Sequence, residues 1–143
     1  MTINELKVEI SKWKITPPRI LNLTIGVCSL ILHEFVAKPY YRAYIYSHNI
    51  YDFHIADTLG NSLGTIAEVF IVVGLIGRDK TRDHFLIKMT TISIIIYELG
   101  QPLLGKPIDP WDIVATILTG GFCVLLYRMI HQSKTRPLTE NSK

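Results

Sequence analysis

The chain is poor in charge over four long stretches. Charged residues make up 19% of its 143 residues, but residues 20–36, 56–77, 85–100 and 113–127 hold few of them. The helices of a soluble bundle show polar faces throughout, and these stretches do not. A bilayer core is crossed by about 20 apolar residues. The four stretches therefore predict four transmembrane helices, and a soluble four-helix bundle is the less favoured alternative.

Cysteine is also scarce. The two cysteines, Cys28 and Cys123, lie inside apolar stretches. Thiols in such positions pack as small apolar groups, so they say nothing about a redox compartment.

Basic residues are rare in two of the connections, and this predicts the orientation of the spans. Only Lys38, Arg42 and Lys106 lie after the first or third span. The other lysines and arginines, out of 15, lie before the first span, in or close to the connection between the second and third spans, or at and after the end of the fourth. This is the positive-inside pattern for both termini in the cytoplasm. It explains the net charge of +3, so no nucleic-acid partner is expected.

These patterns predict an all-α polytopic membrane protein. A single four-helix transmembrane domain is expected over residues 1–133, with spans at about 20–37, 56–77, 84–101 and 111–131, followed by a flexible cytoplasmic tail over 134–143. Residues 1–18 are expected to form an amphipathic interfacial helix, because apolar residues recur there at helical spacing among lysines. We expect the protein in the bacterial plasma membrane, with lipids and either a second copy or another membrane protein as partners.

Polar residues recur in the same order in the two halves, which predicts an internal parallel repeat. Residues 29–34 resemble residues 93–98, since each segment ends an apolar run in a glutamate. The second helix of each half then begins with an aspartate, Asp57 or Asp112. A parallel repeat implies a pseudo-two-fold axis along the membrane normal. All four carboxylates are therefore expected at one level near the outer leaflet, with His33 beside them.

A further carboxylate lies inside the second predicted span. Asp57, Asn61, Gly64 and Glu68 share one helical face. At a rise of about 1.5 Å per residue, Glu68 lies about 16 Å from Asp57, near the middle of the bilayer. A carboxylate at this depth indicates a functional site. The alternative is a protonated glutamate hydrogen-bonded to a neighbouring helix.

Three kinds of chemistry fit the outer carboxylates. The first is a divalent metal site that includes His33 and His54, because carboxylate and imidazole suit such ions. There is no dense ligand motif such as His-Glu-x-x-His, so the cofactor is left open. The second is acid–base catalysis on a lipid-linked substrate, with Glu34, Glu98 and His33 as catalytic residues. The third is structural, since an acid at a helix N-terminus is stabilised by the helix dipole.

The joint between the third and fourth predicted spans resembles the C-terminal motif of VanZ-like membrane proteins. The matching residues are Glu98, Gln101, Asp109 and Asp112, with Gly105-Lys106 between the two pairs. The family pattern is Glu-x-x-Gln, Gly-Arg and Asp-x-x-Asp, then Asn and Gly in the last helix. This chain departs from it at Lys106, Thr116 and Thr119, which stand for Arg, Asn and Gly. The resemblance implies a small four-span envelope protein of the kind linked to resistance to glycopeptides such as teicoplanin.

We therefore expect a VanZ-like membrane protein with an acidic site at the outer leaflet that acts on a lipid- or cell-wall-related ligand. The expected ligand-binding residues are Arg42, Asp57, Asn61, Glu68, Gln101, Lys106, Asp109 and Asp112. One alternative is a metal-dependent membrane-embedded enzyme. Another is a non-catalytic membrane subunit, or a small channel or transporter that uses Glu68.

Overall fold

The structure, a computed structural model, describes residues 16–131. Helices account for 85% of these residues and none of them lies in a strand, which confirms the all-α prediction. The helices are α1 (Pro17–Ser47), α2 (Ile55–Ile76), α3 (Lys80–Leu99) and α4 (Pro110–His131), with a 3₁₀ turn at Gln101–Leu104 between α3 and α4. The predicted tail and most of the predicted interfacial helix lie outside the described residues.

The first helix begins at two prolines and is longer than the first predicted span. Pro17 and Pro18 fit the first turn of a helix, because the N–H groups of that turn have no partner within the helix. The helix continues past residue 37 to Ser47 through a π-helical segment, His33–Arg42, that contains Pro39. A proline in an α-helix clashes with the carbonyl four residues earlier. The wider π turn relieves this clash, so the helix continues where a connection was expected.

Within the described residues, three helices are long and apolar enough to cross a membrane: α1, α2 and α4. The remaining helix, α3, has 20 residues and carries charges in both halves, at Lys80, Arg82, Asp83, Lys88 and Glu98. These charges keep it out of the set of candidate spans. The architecture is therefore that of a helical protein compatible with a membrane, with three candidate spans.

The central helix is α2, which packs against α1, α3 and α4. Its contact with α1 is close because α1 presents small and polar residues to it. A Cβ atom on Gly26 would lie only 2.7 Å from Ile71 Cγ1, and small residues permit such approaches between helices. Asn22, Gly26 and Ser29, which lie on one stripe of α1, are buried.

The apolar core and the two ends of the bundle differ in character. The core consists of Val69, Phe70, Val73, Ile87, Cys123 and Tyr127. The end nearest this core is formed by residues 16–20, 77–84 and 128–131, and carries most of the described basic residues. It is the basic end. The opposite end is formed by residues 43–57 and 98–112, and carries most of the described carboxylates. It is the acidic end.

A buried carboxylate joins several segments at the basic end. Asp83, in the first turn of α3, is buried. Its Oδ2 accepts a hydrogen bond from the Tyr127 hydroxyl at 2.6 Å, and its Oδ1 accepts one from the Arg78 N–H at 3.0 Å. Nearby, Arg19 of α1 donates to the Gly77 carbonyl at 2.8 Å. Because both oxygens of Asp83 are satisfied, this carboxylate holds the α2–α3 turn to α4.

Candidate functional site

Three carboxylates from three different helices converge at the acidic end. They are Asp57 in the first turn of α2, Glu98 in the last turn of α3 and Asp112 in the first turn of α4. Glu98 is only 5% exposed, and the two aspartates are half-buried. The Asp112 carboxylate lies within electrostatic range of Asp57, Glu98 and Asp109. These four residues form the acidic cluster.

The turn between α3 and α4 holds its acids by short-range hydrogen bonds. The Gln101 side-chain amide donates to the Glu98 carboxylate. Gly105 follows the 3₁₀ turn at a φ of 75°, a left-handed conformation that glycine adopts without strain. Asp109 then accepts a hydrogen bond from the Trp111 N–H at 2.9 Å, which caps the start of α4. The Glu-x-x-Gln and Asp-x-x-Asp motifs thus each form a local hydrogen bond, and Asp109 lies within electrostatic range of Glu98.

Asp57 has the most partners of any residue in the acidic cluster. The Tyr46 hydroxyl donates a hydrogen bond to its Oδ1. Arg42 Nη2 lies 3.8 Å from Oδ1, and His54 Nδ1 lies 3.4 Å from Oδ2. The Arg42 guanidinium also lies 5.3 Å from the centre of the Tyr46 ring. Arg42 is therefore the cation that α1 presents to the acidic cluster.

The loop between α1 and α2 has an uncommon backbone conformation beside the acidic cluster. Asn49, Phe53 and His54 have φ angles of 50°, 56° and 65°. This left-handed region costs a residue with a Cβ atom about 1–2 kcal/mol. The His54 ring stacks on Trp111 with ring centroids 5.2 Å apart, which joins the loop to α4. Strain of this kind collects at functional sites, so the loop is a candidate wall of the site.

Asn61 places an unpaired donor next to the acidic cluster. Its Nδ2 atom is buried and has no hydrogen-bond partner within residues 16–131. The Glu98 carboxylate is close enough to interact with Asn61, but the pair does not reach the geometry of a full hydrogen bond. A buried polar group without a partner costs about 1–3 kcal/mol. A ligand with an acceptor oxygen at this point would therefore gain affinity by pairing with Asn61.

The acidic cluster has an excess of negative charge. Its four carboxylates face two cations, Arg42 and the exposed Lys106, which neighbours Glu98. Carboxylates accept strong hydrogen bonds from ammonium groups and also bind hydroxyls. The arrangement can thus hold a cationic or hydroxyl-rich group between α2, α3 and α4.

Two of the predicted catalytic residues lie apart from Glu98. Glu34 has a 53% exposed side chain, with Oε1 3.1 Å from His33 Nδ1 and Oε2 3.4 Å from Lys38 Nζ. Because α1 continues through the π segment, Glu34 does not sit at a helix end as expected. His33 packs against α2 instead, where a Cβ atom on Gly60 would lie 3.1 Å from Nε2. The expected catalytic trio is therefore not brought together.

Glu68 lies on an uncovered face of α2. Its side chain is exposed, and no hydrogen bond or ion pair joins it to another of the described residues. One turn earlier, a Cβ atom on Gly64 would meet no atom within 4 Å. Two turns later, Leu75 is 45% exposed. At the level of Glu68, the face of α2 that also carries Asp57 and Asn61 is thus open, and no described side chain pairs with the carboxyl group.

Two other chemistries gain no geometric support from the part of the chain that the structure describes. It contains no group of three or more His, Cys, Asp and Glu side chains placed to hold a metal ion. Residues 60–64, Gly-Asn-Ser-Leu-Gly, have the G-x-S-x-G spacing of a nucleophile elbow. In such elbows the serine lies at a strand-to-helix turn, whereas this segment lies inside α2.

The fold and the site define a class: an all-helical protein with three candidate membrane spans and a carboxylate-rich end. In comparisons with known proteins, no protein-family model, curated protein or solved structure matches the chain. The resemblance to VanZ-like proteins therefore rests on the motif residues of the α3–α4 turn.

Proposed function

We propose that this chain is a four-span, VanZ-like membrane protein that binds a lipid- or cell-wall-related ligand at its acidic end. In this proposal α3 also crosses the membrane and brings the number of spans to four, both termini are cytoplasmic, and the acidic end lies at the outer leaflet. The interfacial helix and the internal repeat belong to the same proposal. The observation that carries it is the convergence of Asp57, Glu98 and Asp112 from three helices.

The connectivity of the helices supports a fourth span. If α2 and α4 cross the membrane, α3 must return from the basic end to the acidic end, because it joins the end of α2 to the start of α4. Its 20 residues reach about 30 Å as a helix, which is the thickness of the hydrocarbon core. Its charges lie mostly near the two ends, and the long side chain of Lys88 can reach the interface by snorkelling.

The charges at the acidic end indicate what the ligand carries. An ammonium group fits the excess of carboxylates, and an acceptor oxygen fits the unpaired Nδ2 atom of Asn61. A phosphate or carboxylate of the same ligand fits Arg42, since a guanidinium binds such groups in a fork. Zwitterionic lipid headgroups and the amino-sugar or amino-acid units of cell-wall precursors combine these groups.

Growth of a glycopeptide-susceptible bacterium that expresses the chain tests the proposal. The measurement is the lowest teicoplanin concentration that stops growth, with the amount of protein in the membrane measured for each variant. We expect the wild-type chain to raise this concentration several-fold and the Glu98→Gln, Asp112→Asn double variant to lose the effect. These changes keep side-chain size and remove two of the converging charges.

Glu34→Gln is the matched control. It removes a carboxylate from α1 that pairs with His33 and Lys38 rather than with the acidic cluster, so tolerance should stay at the wild-type level. A wild-type chain that reaches the membrane without changing tolerance would contradict the proposed role. Equal losses in the control and the double variant would contradict the assignment of the site.

Glu68 favours a second candidate, a non-catalytic subunit of a membrane assembly. A carboxyl group exposed in the middle of a span is costly in lipid, and a partner helix would cover it. Gly64 leaves room for such a helix, and the Glu68 face of α2 would line a transport path only inside the assembly.

Light scattering of the protein in mild detergent tests this candidate. We expect the wild-type protein to form a homo-oligomer, and we expect Glu68→Leu to dissociate it while Glu34→Leu does not. A monomeric wild-type protein would contradict this candidate.

A further inference from the structure

A groove of about 650 Å³ opens between α3 and α4 at the basic end, far from the acidic cluster. Three cations and two histidines line it: Lys80, Lys88 and Arg128, with His84 and His131. Three of them come from α3 at intervals of four residues, so they form one stripe along that helix. The volume is in the range of pockets that take small ligands. This groove is the basic groove.

The described carboxylates near the basic groove already accept hydrogen bonds from other groups. Both oxygens of Asp83 are bound, one by the Tyr127 hydroxyl and one by the Arg78 N–H. Asp79 accepts a hydrogen bond from the Arg82 N–H at 2.9 Å. Within residues 16–131 none of the lysines or arginines that line the groove forms an ion pair with a carboxylate. Their charge is therefore available to an anion.

A histidine orients one of these cations across the groove. His84 Nδ1 lies 2.6 Å from the Lys80 carbonyl, so this nitrogen carries the proton and donates it. Nε2 is then an acceptor, and it receives a hydrogen bond from Arg128 Nε at 3.3 Å. A guanidinium has five N–H donors, so within residues 16–131 the Nη groups of Arg128 remain free to bind an anion from the side of α4.

The groove also has an apolar portion, which distinguishes its occupant from a simple anion. Phe85, 59% exposed, and Val124 line it together with the charged residues. Lys80 and Lys88 are separated by about 12 Å along the axis of α3, so basic and apolar groups extend along the same surface. A ligand that matches both is an anionic amphiphile.

We propose that the basic groove binds an anionic phospholipid. The phosphate lies among Lys80, Lys88 and Arg128, and the glycerol and first acyl carbons lie on Phe85 and Val124. The site lies at the opposite end from the acidic cluster and does not depend on the function proposed there.

Titration of the detergent-purified full-length chain with short-chain phosphatidylglycerol tests this proposal, with short-chain phosphatidylcholine and inorganic phosphate as the comparison ligands. Lys88→Gln should weaken phosphatidylglycerol binding by roughly fivefold, from the contribution of one basic group near a lipid phosphate. Lys88→Arg should restore it. Arg82→Gln is the matched control, because it removes one positive charge from the same helix and the same end without touching the groove.

The expected result is a preference for phosphatidylglycerol over both other ligands, a loss in Lys88→Gln and wild-type binding in Arg82→Gln. Equal losses in the two glutamine variants would show a general effect of surface charge and overturn the site. Inorganic phosphate that binds as tightly as phosphatidylglycerol would assign the groove to free anions and overturn the lipid proposal.

Discussion

Replacing Tyr127 with Phe removes a single hydroxyl group from the buried contact at the basic end. The ring keeps its place in the apolar core, but Asp83 Oδ2 loses its donor at 2.6 Å while Oδ1 keeps the Arg78 N–H at 3.0 Å. Hydrogen bonds to charged groups contribute about 1.5–3 kcal/mol. Side-chain bonds within membrane bundles contribute less, about 0.6 kcal/mol on average. Because Asp83 is a buried carboxylate, we expect the loss of stability to fall in the range for charged groups, at about 2 kcal/mol.

The assay is unfolding of the detergent-solubilised protein with SDS, followed by reaction of a thiol dye with Cys123. This thiol has 0% exposure and belongs to the same core as Tyr127, so it reacts when α4 separates from its neighbours. Cys28 is exposed and is replaced by Ser in every variant, so that one thiol reports.

Tyr97→Phe is the matched control. It removes the same atom from a side chain that is 58% exposed and forms no hydrogen bond with another described residue. Its effect should stay within about 0.5 kcal/mol, as for surface substitutions in general. A Tyr127→Phe variant as stable as the wild type, or equal losses in both variants, would refute the role assigned to the Asp83 contact.

Two further predictions use the same SDS assay. Gly26→Leu should lose about 1–3 kcal/mol through overpacking, because its Cβ atom would lie 2.9 Å from the backbone oxygen of Ala67. Gly121→Leu, where a Cβ atom meets nothing within 4 Å, should be nearly neutral, and the opposite ranking would contradict the α1–α2 packing. Asp79→Ala should lose about 1 kcal/mol with the cap of α3, because Asp79 accepts the Arg82 N–H. Asp79→Ser should keep most of that stability, and equal losses in the Ala and Ser variants would show that the cap is not formed.

The helices and the contrast between the two ends could be predicted because both depend on local pattern. Apolar runs define α2 and α4, and charge composition distinguishes the basic from the acidic end. The length of α1 could not be predicted, because Pro39 and the tyrosine-rich segment around it are typical of a connection between two helices. A π segment accommodates that proline, and no pattern in a single sequence indicates where a π turn forms.

Part of the candidate site could also be predicted from local pattern. Asp57, Glu98 and Asp112 lie at helix ends, so alternation of the helices brings them to one level. The stacking of His54 on Trp111 depends on side-chain directions that spacing does not determine. The contact of Asp83 with Tyr127 could not be predicted, because alternating charges in residues 78–84 are typical of a solvated turn.

Labelling of single cysteines from outside intact cells tests the four-span proposal most directly. Leu103→Cys and Arg82→Cys, each in a chain whose native cysteines are replaced by Ser, place a thiol beyond one end of α3 and near the other. Leu103 is 91% exposed, so its position is open to reagents. We predict that a membrane-impermeant maleimide labels Leu103→Cys in intact cells and labels Arg82→Cys only after the membrane is permeabilised. Equal labelling of the two in intact cells would place both ends of α3 on one side and contradict the proposal.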